Sequence, residues 1–445
     1  IYAFDVTPTA KMTSQSDTVT PNLMWVIEGG AGDFARLGQT WSKPKLVRVR
    51  FKCTSTECDD GDPATDDSAS RMVLVFAGGY DADKDNSVAS TGDDIGNAVY
   101  IVDPLTGARL WWASSDASAT LVLSNMKYSI PSEVTLTDSN ADKSVDRLYV
   151  GDTAGQVWRI DLGEQLDTDQ NGGTAGYVFA DAGCSGGVRS DDCSDTSNQA
   201  RRRFFYPPDV ASVSDSNFST NPTYDLVTIA SGNREDPLDI LTTNLMPVAE
   251  AVHNRVYAFR DYNYKYGPPA SAPSALTDSD LYDATANKLG TLTGAALDTE
   301  IAAIKGKKGF YIDLVESSAI ALPNGLTTKW VGEKALAKTL IFGGVLYVST
   351  FTPANDASAL TTCAASEGTG KVYALNYLSG VAEFDFDDDG TDDRYVEVGG
   401  GIPSEPIIVI REGGTTGLVG TSGGSDVIDV APGGGSAYKT YWRDE

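Results

Sequence analysis

The sequence predicts an all-β chain, a modified β-propeller with long loop insertions and a few short helices. Three observations carry this. Short segments rich in Val, Ile, Tyr and Leu recur along the chain, several with period-two alternation. Tight polar turns of the form Asp-x-x-x-Gly or Asn-x-x-x-Gly separate them, as from Asp103 to Gly107 and from Asn376 to Gly380. The phrase VYxxDxxTGxxxW at 99–111 is echoed at 372–384, which favours a propeller over a sandwich or barrel.

The strand segments are RMVLVFAGG (71–79), AVYIVDPLTGARLWW (98–112), RLYVGDTAGQVWRIDL (147–162), DLVTIASGN (225–233), RVYAFRD (255–261), LIFGGVLYVSTF (340–351), KVYALNYLSGVAEFD (371–385) and EPIIVI (405–410). Roughly 60 residues per blade gives about seven blades, longer than a lean repeat. The excess falls in polar insertions at 53–70, 163–200 and 263–300, the last with an Ala/Leu/Lys-rich stretch that suggests one or two short helices. Trp111, Trp112 and Trp158 read as packing between blades, the alternative being a stacking site for a sugar or cofactor. The chain of 445 residues reads as one propeller domain, 1–445. It opens on IYAFDV, a strand pattern without a basic n-region or cleavage site, so the expectation is a C-terminal fragment of a longer exported protein.

Composition narrows the function classes. Thirty-four basic against 62 acidic residues give a net charge of −28, which argues against a nucleic-acid binder needing a basic face. That charge suits either a cation-holding protein or plain solubility. No run of about 18 apolar residues is present, so no transmembrane helix is expected. Cys53/Cys58 and Cys184/Cys193 each bracket a short loop that a disulfide could close, and Cys363 is left over. His253 is the single histidine, which leaves no zinc cluster, no haem attachment motif and no basis for a Ser-His-Asp triad. The basic-aromatic run ARRRFFYPPD (200–209) reads as a strand start pairing with Asp191 and Asp192, or as a patch for a partner.

Two loops carry the spacing that calcium requires, with oxygen donors at positions 1, 3, 5, 7 and 9 and a turn-tolerant residue at 6. In DFDDDGTDD, Asp385, Asp387, Asp389, the Thr391 carbonyl and Asp393 fill those positions around Gly390. Position 12 is Val396, so Asp393 binds directly or Glu397 swings in. The competing reading is a solvated acidic hairpin, in which so many carboxylates would repel one another. In DSNADKSVD, Asp138, Asn140, Asp142, the Ser144 carbonyl and Asp146 fill the same positions, with Lys143 at 6. The echoes at 81–89 and 167–175 each end on alanine at position 9 and read as polar loops.

The ordered segments GGYDADKDN, GNAVYIVDPLTGARLWW, DSNADKSVDRLYVGDTAGQVWRIDL, RRFFYPPDV, LVTIASGNREDPLD and VGGGIPSEP resemble the C-terminal propeller of the PilC/PilY family of type IV pilus tip proteins, over about residues 71–410. The resemblance implies that the 138–146 loop, just before the strand ending Trp-Arg-x-Asp, is a calcium site, and that 385–393 is a further one. It also implies a non-enzymatic protein in pilus biogenesis, in calcium-dependent control of extension and retraction, and in adhesion to a surface or host cell. The expected location is the extracellular pilus tip or bacterial cell surface, reached through the periplasm. Expected partners are the minor pilins of the tip complex and a host receptor, with the isolated chain a monomer. An alternative is a quinoprotein-like dehydrogenase propeller, which shares the repeat phrase; no adjacent cysteine pair or haem motif supports it. A carbohydrate-binding propeller is a further alternative.

Overall fold

All eight strand segments form in the computed structural model, which describes residues 1–6, 21–52, 68–84, 92–163, 166, 173–183, 202–235, 237, 252–265, 267–314, 319–320, 329–330, 332–353, 368–411, 414–422 and 424–428. All five cysteines lie outside the described residues. The described strands build five sheets of three or more strands and two two-stranded ribbons.

The first sheet runs Lys45–Lys52, Ser68–Ala77, Ala98–Val102, Arg109–Ser114, Leu121–Val122, and the second runs Thr135–Thr137, Arg147–Gly151, Gln156–Asp161, Ala175–Asp181. The third pairs Asp209–Ser214, Thr223–Ala230, Arg255–Asp261 and Gly309–Asp313, with Tyr282–Asp283 added in parallel. In the fourth, Lys334–Ala335 and Leu340–Phe342 both pair with Val345–Thr352, followed by Thr369–Asn376 and Tyr395–Glu397. Ile407–Arg411, Gly414–Thr421 and Gly424–Ile428 form the fifth. Each is a chain-order antiparallel meander at its centre, the arrangement of a propeller blade. The predicted short helices are Lys288–Thr291 and Gly294–Lys305, inside the third sheet's long insertion.

Period-two alternation here selects a neighbouring blade, not core against water. Along Ala98–Val102 every side chain is buried. Val99 and Ile101 enter a cluster with Leu148, Val150 and Trp158 of the second sheet, whereas Ala98, Tyr100 and Val102 pack on the other face with Trp112. Tyr149 and Val157 face Val227, Ile229, Tyr257 and Phe259 of the third sheet. Leu226, Val256 and Ala258 face Leu346 and Val348 of the fourth, whose Val345 and Tyr347 face Val419 and Ile428 of the fifth. A central strand with a sheet on both faces has no solvated side, so its residues are apolar throughout. Trp111 and Trp158 therefore pack between the first and second sheets, as expected from sequence.

The hairpin turns share one construction. Gly107 N–H donates to the Asp103 carbonyl and Gly380 N–H to that of Asn376, at 2.9 and 2.8 Å. Asp103 Oδ1 accepts from the amides of Leu105 and Thr106, and Asn376 Oδ1 from that of Leu378. Both glycines have positive φ, 72° and 71°, which explains glycine at the fifth position.

Candidate metal centre

The two aspartate loops have the same backbone conformation and the same hydrogen-bond scheme. In each, the position-1 carboxylate accepts from the position-5 amide, Asp142 to Asp138 and Asp389 to Asp385, at 3.1 Å in both. Its second oxygen accepts from the position-6 amide, Lys143 or Gly390, at 2.7 Å in both. The position-3 side chain accepts from the same position-5 amide at 3.1 Å for Asn140 and 3.2 Å for Asp387. The position-5 carboxylate accepts from the position-7 amide at 2.8 Å in both. The position-9 carboxylate reaches back to the position-2 amide, Ser139 to Asp146 and Phe386 to Asp393, at 3.1 Å. Positions 4 and 6 are left-handed in both: Ala141 and Asp388 at 60°, Lys143 at 72° and Gly390 at 91°.

In the 385–393 loop this scheme brings the carboxylates of positions 1, 3 and 9 together, whereas among the described residues the acidic groups of 138–146 do not close into such a cluster. Asp385, Asp387 and Asp393 each bring a carboxylate oxygen within 4.8 Å of the others. The Asp387 carboxyl is net raised: the Asp389 amide lowers it, while slight desolvation and the charges of Asp389, Asp393 and Asp385 outweigh that. The donors in both loops are hard oxygens only, with no nitrogen or sulfur among them, a set that suits calcium and needs about six to eight oxygens, water included. Glu397, the alternative twelfth-position ligand, is held in a strand opposite Lys371.

The loops sit in different places. Residues 385–393 cap the outer end of the fourth sheet: Asp393 N–H donates to the Phe384 carbonyl, and the Phe384 and Phe386 rings lie tilted at 45° with centroids 5.6 Å apart. Residues 138–146 lie at the seam between the first and second sheets. Val145 N–H donates to the Arg48 carbonyl, Ser144 Oγ is 3.1 Å from Ser70 Oγ, and Arg50 pairs with Asp142 at 3.3 Å. A cavity of about 10 Å³, room for one water-sized species, opens here among Val49, Arg50, Asp142, Ser144, Asp146 and Gly163. Asp146 is only 7% exposed, and burial pushes its carboxyl up to about 6 against the opposing Ser139 bonds.

Other sequence readings divide. Asp81 is buried and turned to the amides of Asp83 and Asp94, with 85–89 of that echo outside the described residues. Residues 167–172 of the other echo also lie outside them. In the basic-aromatic run, Arg202 donates to the His253 and Ala182 carbonyls and pairs with Asp278, and Arg203 pairs with Glu235; Asp191 and Asp192 lie outside the described residues. Trp41 is 41% exposed, but its ring stacks on Tyr80 at 4.8 Å and carries the Arg234 guanidinium at 5.6 Å, so the sugar-stacking reading finds its faces engaged.

Sequence reasoning missed a buried charge network on the seam between the second and third sheets. Arg147 donates to Asp161 and Asp225, and to the carbonyls of Tyr264 and Lys265. Arg159 makes a bidentate pair with Asp161 and binds Asp261, which also accepts from the Tyr149 hydroxyl. The signal was legible as Arg-x-Asp within an otherwise apolar strand, since charged residues enter such a strand only when paired.

The fold and the loops define a modified β-propeller with two oxygen-lined loops of one design. Its fold is similar to that of the crystal structure of the Pseudomonas aeruginosa PilY1 C-terminal domain, with a TM-score of 0.54 and 17% sequence identity over 95% of this chain and 77% of that one. No family model and no curated protein matches the chain. Among the described residues, no helix is long and apolar enough to cross a membrane.

Proposed function

We propose that this chain is a calcium-binding propeller of a type IV pilus tip-associated protein, acting in pilus biogenesis and surface adhesion without enzymatic activity. The observation that carries the calcium reading is the convergence of the Asp385, Asp387 and Asp393 carboxylates, in a loop whose hydrogen-bond scheme 138–146 repeats. The pilus reading is supported by the propeller likeness together with the ordered segments quoted above.

Bound calcium would neutralise the crowded carboxylates and fix each loop. At 138–146 it would fix the loop that lies against the first blade, and so set the surface offered to the minor pilins, to a receptor, or to the load of retraction. Export through the periplasm to the pilus tip, at the cell surface, goes with this role. Isothermal calorimetry of the whole chain tests the metal reading: two calcium sites are expected, one lost in Asp146→Ala and the other in Asp385→Ala. Absence of calcium heat, or retention of both sites in the two variants, refutes it. The pilus reading is tested by placing Asp146→Ala in the native protein and measuring surface piliation and twitching, which should fall.

A further inference from the structure

The two loops share a backbone but not an electrostatic setting. Between 385 and 393 there are six aspartates and no basic residue. The next residue, Arg394, is committed elsewhere, donating to the carbonyls of Ala284 and Thr285. Among the described residues, no basic side chain forms an ion pair with that loop's carboxylates. The 138–146 loop places Asn140 where the other has Asp387 and Lys143 where it has Gly390. It also receives Arg50 from the neighbouring blade, whose Nε lies 3.3 Å from Asp142 Oδ2.

The Arg50 side chain is 44% exposed, but its backbone is fixed against the second blade. The Arg48 carbonyl accepts from Val145 N–H at 2.8 Å, and the carbonyl of Arg50 itself from Leu166 N–H at 2.7 Å. Arg50 also lines the small cavity that Asp142, Ser144 and Asp146 share. A guanidinium at this point stabilises the metal-free loop by pairing with a ligand carboxylate. It then repels a divalent cation that needs the same carboxylate.

We propose that Arg50 sets the cation affinity of the 138–146 loop from across the blade seam, making it the weaker, adjustable site and 385–393 the tighter one. This rests on the calcium reading above. Occupancy of the first loop then requires Arg50 to yield Asp142, so cation binding is exchanged for this one ion pair, while the Val145 N–H to Arg48 carbonyl bond keeps the loop against the first blade. The site responds to calcium levels at which the second loop is already filled.

The test uses the whole chain with the second loop disabled by Asp385→Asn and Asp387→Asn, so that calorimetry reads only the first. Arg50→Gln should bind calcium about fivefold more tightly, the upper range for removing a partly exposed pair, and the gain should shrink as sodium chloride is raised. Arg50→Met, which keeps the apolar stem, gives the same readout should the Gln variant fail to fold. Unchanged or weaker affinity in the variant, with calcium still bound by both loops of the unmodified chain, overturns the role of Arg50 and leaves the calcium reading standing. A chain that binds no calcium at either loop overturns both.

Discussion

Arg147 and Arg159 converge on one carboxylate oxygen, Oδ1 of Asp161, each at 2.9 Å. Strand register places them there. Asp161 lies directly opposite Arg147 across the paired strands, and Arg159 is two residues before Asp161 on the same face. The opposite face, with Leu148, Val150 and Ile160, packs toward the first sheet. One seam of the second blade is therefore filled by an apolar cluster, while the other carries a charged knot completed by Asp225 and Asp261 of the third.

Removing one member of this knot should be costly. Asp161→Ala leaves two buried guanidiniums short of their shared acceptor, and breaking a buried pair costs about 3–5 kcal/mol. Urea unfolding should show that loss. A change below about 1 kcal/mol would mean that water or other carboxylates replace Asp161.

The sixth loop position offers a matched pair of substitutions. Lys143 holds a left-handed φ of 72°, which costs an L residue about 1–2 kcal/mol. Lys143→Gly should raise thermal stability accordingly, less the entropy of glycine, and tighten calcium binding by removing a positive charge. Gly390→Ala should lower thermal stability through the other loop. A Cβ there would meet nothing within 4 Å, so its cost is backbone strain alone. Scanning calorimetry with and without calcium checks both.

Calcium should stabilise the fold by mass action. With free calcium at 100 times the dissociation constant of one site, the gain is about 2.7 kcal/mol. Chelation should lower the melting temperature, and Asp146→Ala with Asp385→Ala together should abolish the dependence. A melting temperature indifferent to calcium would contradict the proposed sites.

The single histidine gives a clean pH probe. Burial lowers the pKa of His253 below the usual 6.5; Asp313 opposes this, and Arg202 and Arg255 add to it. The folded state thus favours neutral imidazole. The resulting stability is present above pH 6.5 and is lost as pH falls from there through the lower folded value. Proton NMR should place the His253 midpoint below 6.5, and His253→Gln should flatten the acid-side decline. A midpoint at or above 6.5 would contradict it.

The strands, the hairpin turns and the ligand spacing of both loops were determined by the sequence alone, because each depends on local geometry. Period-two side chains, an Asx-plus-glycine turn and alternating loop oxygens act within about ten residues of chain. Which neighbour each strand face meets was decided only by the tertiary structure. Val99 and Tyr100 look alike in sequence yet serve opposite seams. Burial of Arg147 and Arg159 rests on Asp225 and Asp261, far along the chain, and the pairing of Arg50 with Asp142 exists only because two blades stack. The physical reason is that a charge is tolerated, or tuned, by whatever the packed fold places beside it, and sequence spacing carries no record of that distance.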